Sequence, residues 1–587
     1  MKNRFLKPLL LLTLALNFSW AVAQKKDENI GTEVVNVVKP YSATISDAFK
    51  VKETPSLEDD ENTKMENIQY TIFSFPVAST FTPAKGRAAN VDKTKKEKLF
   101  SNYASLGFGN YGRILGELFV TEKISNSDYF GAMLRHHSSQ GGIENLILDD
   151  KFYNTSLDAT YGSMQKHMTW TADIGYQHQM YNWYGLNQDY FANTLDYFAN
   201  KDVAQTYHNF YLGGSISFAE SFFTGAQIKF NRFWDAYGSA ENRFVAQPSF
   251  AFDLMDTQIK TDVSLDYVSG SFDKNYFDGP AISYGFANFG LSPSFNYTKD
   301  DLSLNVGVSL FYSSDLENSD SKFFIYPNIS ASYKVVGDLM IMYAGAEGRL
   351  NQNTYRDFTN ENPFLSPTLF IKPTSTPYDV FVGLKGKLAS TVSYNLRASY
   401  SMENDKAMFV SNAKPGETIP FLDAVSEQYQ YGNSFSVFYD DVRTLGVFGE
   451  VKADITPNFS LGLNGTINSF SPKNNEEVLN LPALKMGAFT DFSFTEKWYA
   501  GMHLFFVGER DDYETIVLSN DVTNFTRSKI TLDSYLDFNA HVGYKHNERL
   551  TLFLKGNNLF NQAYERWNNF PTQQIQVVLG ANYKFDF

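Results

Sequence analysis

From about residue 99 to the end of the chain, apolar and polar positions alternate with a period of two. At the C-terminus Ile575, Val577, Leu579, Ala581, Tyr583, Phe585 and Phe587 share one face, opposed mostly by Gln576, Val578, Gly580, Asn582, Lys584 and Asp586. Leu302, Leu304, Val306, Val308, Leu310 and Tyr312 alternate with Ser303, Asn305, Gly307 and Ser309. Val392, Tyr394, Leu396, Ala398, Tyr400 and Met402 alternate with Ser393, Asn395, Arg397, Ser399 and Ser401. In each stretch one face carries no charge. Lipid requires such a face, because a charge at the bilayer midplane costs roughly 2–4 kcal/mol.

The breaks between these stretches alternate in length. Short turns fall near Ser125-Asn126, Gln165-Lys166, Ala219-Glu220, Asp256-Thr257, Asp300, Gly337-Asp338, Ser390, Thr456-Pro457, Glu496 and Asn547-Glu548. Mostly longer polar loops lie between them, at 183–204, 271–281, 352–377, 413–432, 473–482, 512–527 and 561–573. The pattern predicts an all-β fold, a transmembrane antiparallel β-barrel of about 22 strands over 99–587, with short turns and both termini periplasmic. Closure follows because an open sheet edge has no partner in lipid.

The N-terminus predicts the compartment. Lys2 and Arg4, the apolar run Leu9 to Leu16, and Ala21-Val22-Ala23 before Gln24 make a secretory signal peptide over 1–23. With no cysteine in the chain, there is no lipoprotein anchor, disulfide or thiolate metal site. Residues 24–98 show a different pattern. Glu33-Val34-Val35-Asn36-Val37-Val38 precedes Lys39-Pro40, Glu58 to Glu61 is acidic, and Ile68, Tyr70 and Ile72 read as one isolated strand. We expect an extended periplasmic arm, ordered only against something else.

Composition agrees with a barrel. Aromatics make up 16% of residues, with 53 Phe and 36 Tyr, yet mean hydropathy is -0.31. A helical membrane protein needs roughly 20 consecutive apolar residues per span, and none occurs after residue 24. A net charge of -15 excludes the basic footprint that nucleic acid demands.

Near the C-terminus, Leu550-Thr551-Leu552-Phe553-Leu554-Lys555-Gly556-Asn557-Asn558-Leu559-Phe560-Asn561-Gln562-Ala563-Tyr564 resembles the penultimate strand of TonB-dependent receptors, the outer-membrane active transporters. The last strand, with Tyr583, Phe585 and Phe587, resembles the signal by which barrels are recognised for insertion. That family carries a plug of well over about a hundred residues before its barrel, whereas residues 24–98 lack a compact Gly-rich pattern. A barrel this wide is not left open. The arm, inward-folded loops or another protein is expected to fill it.

Two functions follow from the resemblance. One is a non-catalytic subunit of a larger outer-membrane assembly, such as protein insertion or export machinery, favoured by the missing plug. The alternative is TonB-dependent uptake of a solute. Expected partners are outer-membrane lipids and other outer-membrane or periplasmic proteins. Glu33, Val34, Val35, Asn36, Val37 and Val38 are expected to anchor one of these, to lie in a loosely tethered tail, or to engage TonB by β-addition.

Other chemistry is sparse. His136 and His137 are adjacent, so they point to opposite faces of a strand, and the remaining histidines are scattered. No metal or cofactor is expected. Neither a Gly-x-Ser-x-Gly elbow nor a His-Glu-x-x-His motif occurs, and no enzyme is expected. Glu509, Asp511, Asp512, Asp315, Glu317 and Asp320 are expected to be solvated loop carboxylates, with calcium ligation the sharper alternative. Lys85, Arg87, Lys93, Lys95, Lys96 and Lys98 suit a solvated linker or anionic head groups. Trp170, Trp183 and Trp498 are assigned to interfacial girdles. Tyr181, Tyr184, Tyr190 and Phe191 are candidates for stacking on a ligand, and Asn305, Asn395 and Arg397 for lining a solute path.

Overall fold

A computed structural model describes residues 98–254, 257–277, 279–518 and 524–587. The expected signal peptide, the arm with Glu33 to Val38, the basic stretch before Lys98, and Asp256 lie outside the described residues.

Twenty-two antiparallel strands close into one barrel. The first, Asn102–Gly109, pairs with the last, Gln576–Phe585, from Asn102 opposite Phe585 to Gly109 opposite Val578. Between them each strand pairs with its neighbours in chain order, as a meander. The described strand ends agree with the short turns read from the sequence, apart from Asp256-Thr257, where Asp256 is not described. Examples are Lys123 to Asp128 and Thr456 to Phe459. These turns share one end with both barrel termini, and the long loops gather at the other. Short turns are periplasmic and long loops extracellular.

The alternation explains the two faces. Leu212, Ile325, Val382, Leu445 and Leu579 are exposed on the outside of the barrel, as lipid-facing side chains must be. Residues of opposite parity, such as Asn209, Asn288, Ser309 and Asn582, are buried on the inner face. Trp498 starts a strand at the periplasmic end, and Trp170 packs on Tyr161 at the same end, in keeping with a girdle.

Trp183 differs from the expectation. It follows the strand Met168–Asn182 and is 1% exposed, among loop residues rather than lipid. Its parity is that of Gln179, which is buried on the inner face, and not that of Tyr176, which is exposed on the outer one, so the strand's own alternation already turns position 183 away from lipid.

Candidate functional site

The extracellular loops fold inward and pack on one another across the mouth. One apolar cluster joins Tyr207, Phe233, Val268, Phe272, Tyr284 and Phe286 on the inner wall to Tyr355, Phe358, Leu365 and Leu369 of loop 352–373. It continues to Phe409 and Phe435 on the strands flanking loop 412–434, and to Trp567 and Phe570 of the last loop. These elements are widely separated around the ring, so the cluster crosses the bore. A second cluster joins Trp183, Leu186, Phe191, Phe198 and Val203 to Leu422, Tyr429 and Tyr431. Inward-folded loops were one of three expected fillings of the barrel; they form a cap at its outer end.

Tyrosine explains how polar loops make an apolar cap. In several cases a tyrosine ring packs in or against a cluster while its hydroxyl donates to a carbonyl of another loop, which satisfies that hydroxyl. Tyr207 donates to the Pro363 carbonyl at 3.0 Å, and Tyr184 to that of Pro571 at 3.0 Å. Tyr276 donates to Ala413 at 2.7 Å, Tyr197 to Leu422 at 3.0 Å and Tyr190 to Pro415 at 3.3 Å. Asn433 donates its amide to the Trp183 carbonyl at 2.7 Å. Ion pairs add ties between loops, Lys414 with Glu514 at 2.5 Å and Lys274 with Glu427 at 2.6 Å.

The proposed ligand-stacking aromatics therefore serve the cap itself. Phe191 is fully buried, Tyr190 stands edge-on to it, and Tyr184 packs on Phe364 and Phe570. Tyr181 lies between Phe152 and Phe364. Of the loop carboxylates, Glu317, Asp320 and Glu509 are exposed, in line with the solvated expectation, whereas Asp512 departs from it. Asp512 is fully buried in the hairpin made by Arg510–Val517 and Phe525–Leu532. It accepts from the Ser411 amide at 3.1 Å and the Ser411 hydroxyl at 2.8 Å, and burial pushes its carboxyl up to about 6. Asp511 pairs with Lys529 at 3.2 Å. Asp315 caps its own turn by accepting from the Glu317 and Asn318 amides.

Below the cap the inner wall is polar and charged. Arg135 pairs with Asp158 at 2.9 Å and Arg397 with Asp379 at 2.9 Å. Arg243 grips Asp266 through two nitrogens, at 2.9 and 2.7 Å. Of the expected path-lining residues, Asn305 donates to Asn328, Asn395 accepts from Tyr343, and Arg397 also stacks on Phe381. Among the described residues no group of three or more histidine, cysteine or carboxylate side chains converges to hold an ion. At the rim, a cleft of about 360 Å³ opens between Asp315, Glu317, Phe370, Lys372 and Tyr439, with Phe370 exposed beside it.

What the sequence missed is the reach of these loops. Their aromatic content was visible, but the partners are far apart in the chain. The signal that was available is the run Asn362-Pro363-Phe364-Leu365, too apolar for a solvated loop.

The architecture is shared with solved outer-membrane proteins. The FrpB iron transporter from Neisseria meningitidis (F3-3 variant) superposes with a TM-score of 0.60 at 10% identity, over 84% of this chain and 82% of that one. The pyoverdine outer membrane receptor FpvA from Pseudomonas aeruginosa PAO1, bound to pyoverdine, gives 0.58 at 12% identity, over 84% and 80%. The copper transporter OprC gives 0.57 at 13% identity, over 83% and 81%. At such identities the likeness is one of fold. No curated protein matches the chain. The family model described as TonB dependent receptor-like, beta-barrel matches residues 101–559. With a closed 22-stranded wall and that match over most of its length, the chain belongs to the TonB-dependent receptor-like β-barrel family of the bacterial outer membrane.

Proposed function

We propose that this barrel takes up a solute across the outer membrane, with energy delivered through TonB. The observation that carries this reading is a wide, charge-lined bore beneath a folded cap of the chain's own loops. A path with a polar wall and a closed outer end is what gated entry requires, since a permanently open bore of this width would leak. The likeness to an iron transporter, a copper transporter and a pyoverdine receptor supports it.

The subunit role weighed first from the sequence rested on a missing plug, an argument about residues outside those described. No feature of the cap or wall favours it over uptake, and similar solved proteins bear the names of receptors and transporters. Uptake therefore replaces it as the preferred function.

The test is accumulation in whole cells. A strain lacking the protein and its complemented parent are supplied with labelled iron chelates and copper, with and without a protonophore. Uptake should fall in the deleted strain and, in the parent, on removing the proton gradient. Equal accumulation for every solute, together with stoichiometric partner proteins on mild extraction, would return the subunit role.

A further inference from the structure

Three of the eight histidines, far apart in sequence, meet in one row on the lipid-facing side of the barrel. His136 pairs with Thr155, Thr155 with His178, His178 with His208, and His208 with Trp234. Their outward direction follows from parity: Gln179, Tyr207 and Asn209 are buried on the inner face, while Tyr176 is 41% exposed on the outer one. Eight residues separate His178 from Trp170 near the periplasmic end. That is about 20 Å of height at 3.3 Å per residue and a tilt near 40°. The row thus lies toward the outer edge of an apolar band about 25 Å tall, close to head groups and water.

Within the row, His178 and His208 differ from His136. Both nitrogens of His136 are engaged, Nδ1 with Thr155 Oγ1 at 2.8 Å and Nε2 with Ser138 Oγ at 3.0 Å. His208 is held on one side only. Its Nδ1 meets the Tyr176 hydroxyl at 2.8 Å, and its ring lies flat on Trp234 at 5.1 Å and 13°. Among the described residues Nε2 has no hydrogen-bond partner and the ring is oriented, the usual arrangement of a metal-binding imidazole whose other nitrogen is fixed by a hydrogen bond. The rings of His178 and His208 are 5.0 Å apart between centroids and tilted by 52°. Two imidazoles bound at 2.0–2.1 Å about a tetrahedral ion place their centroids roughly 5 Å apart.

We propose that His178 and His208 form a two-histidine site for a divalent transition ion of the Cu²⁺, Ni²⁺ or Zn²⁺ class. These are ions that imidazole suits, unlike calcium or magnesium. The site sits at the base of loop 183–203, since His178 lies on the strand that enters the loop and His208 on the strand that leaves it. That loop supplies Trp183, Leu186, Phe191 and Phe198 to the cap. An ion shared by the two strands clasps the foot of a cap element from outside the barrel, with its remaining positions open to water or lipid oxygens. The site is separate from any solute path through the bore.

The test uses the full mature chain in detergent. Cu²⁺ is titrated and followed by electron paramagnetic resonance, with His178→Asn, His208→Asn and, as a control for the inner face, His541→Asn. We expect one bound Cu²⁺ equivalent with two-nitrogen coupling to be lost, with at least tenfold weaker binding, in either of the first two variants and kept in the third. A second measurement needs no variant: Zn²⁺ should protect His178 and His208, but not His167 or His546, from acylation by diethyl pyrocarbonate. Copper binding unchanged in both variants, or equal acylation with and without Zn²⁺, overturns the site.

Discussion

The Glu241 carboxylate, on the barrel wall, accepts the backbone N–H of Tyr355, in the first turn of a loop helix, at 2.6 Å. The same carboxylate accepts the Arg356 N–H at 3.3 Å and the Tyr284 hydroxyl at 2.7 Å, and it is 2% exposed. A second wall carboxylate, Asp235, accepts the Tyr355 hydroxyl at 2.8 Å. The helix Tyr355–Glu361 has Thr354 as its N-cap, whose side chain accepts from the Asp357 N–H. Two wall carboxylates therefore fasten the start of this helix, and with it loop 352–373, to the rim.

Removing the first fastening should loosen the cap. Glu241→Ala leaves the Tyr355 and Arg356 amides without their acceptor, at about 1–3 kcal/mol for each buried group left unpaired. Planar-bilayer recordings should show more frequent open events than the parent, and added protease should cut within 352–373. Glu241→Gln keeps an acceptor and should have a smaller effect. Unaltered conductance and protease resistance in the alanine variant would mean that the cap does not depend on this contact.

Burial of Asp512 gives the cap a pH dependence whose sign follows from its raised carboxyl. Its carboxyl is raised to about 6 in the closed hairpin, whereas an exposed aspartate titrates near 3.8. The closed state thus binds the proton more tightly, and its stability rises as pH falls from above 6 toward 4. Hydrogen exchange, corrected for intrinsic rate, should show the backbone of 510–517 better protected at pH 5 than at pH 7.5. Asp512→Asn should abolish that difference. More protection at the higher pH would reverse the assignment.

The barrel was legible because its physics is local. A period of two, uncharged outer faces and Asp-, Asn- or Gly-marked turns fix strand number and orientation, and Gly337-Asp338 or Thr456-Pro457 needed no knowledge of the rest of the chain. The cap was not legible for the opposite reason. Phe570 belongs with Phe364 and Tyr184, partners hundreds of positions away, and only closure of the ring brings them together. Loop 140–151 went unnoticed among the long loops, although it brings Leu148 to the cap. His178 and His208 looked scattered until strand register set them opposite each other.

Close packing at Gly185 offers a direct check on the cap. A Cβ there would stand 2.1 Å from the Phe570 ring, which itself lies 4.0 Å from Phe364 between centroids. Gly185→Val cannot be accommodated without displacing Phe570, a cost of about 1–3 kcal/mol from overpacking. The barrel should still assemble, since these residues lie outside its strands, but the melting temperature should fall and open events should increase. Gly185→Val combined with Phe570→Ala should recover part of the loss. A variant as stable and as closed as the parent would show that the last loop packs elsewhere.

The arm and the barrel should separate in a deletion. Removing 24–98 while keeping the signal peptide should leave outer-membrane levels of the barrel near normal, because the barrel strands begin at Asn102 and close on Gln576–Phe585 without earlier residues. Uptake should be lost if Glu33 to Val38 engages TonB. Failure of the shortened chain to reach the outer membrane would make the arm part of barrel assembly instead.

The C-terminal aromatic residues bear on assembly rather than transport. Tyr583 is exposed on the lipid-facing side, Phe587 is 82% exposed, and Phe585 lies between them, stacked on Tyr583 at 6.3 Å and edge-on to Phe587 at 5.5 Å. Phe587 makes no strand pair of its own, as the closing ladder ends with Phe585 opposite Asn102. Its replacement should therefore cost the finished barrel little stability. If Tyr583, Phe585 and Phe587 form the insertion signal, Phe587→Ser should lower the outer-membrane fraction several-fold while secretion into the periplasm continues. The small amount inserted should melt within a few degrees of the parent. Equal outer-membrane levels would remove the signal role, and a barrel that inserts normally but melts early would make Phe587 a packing residue.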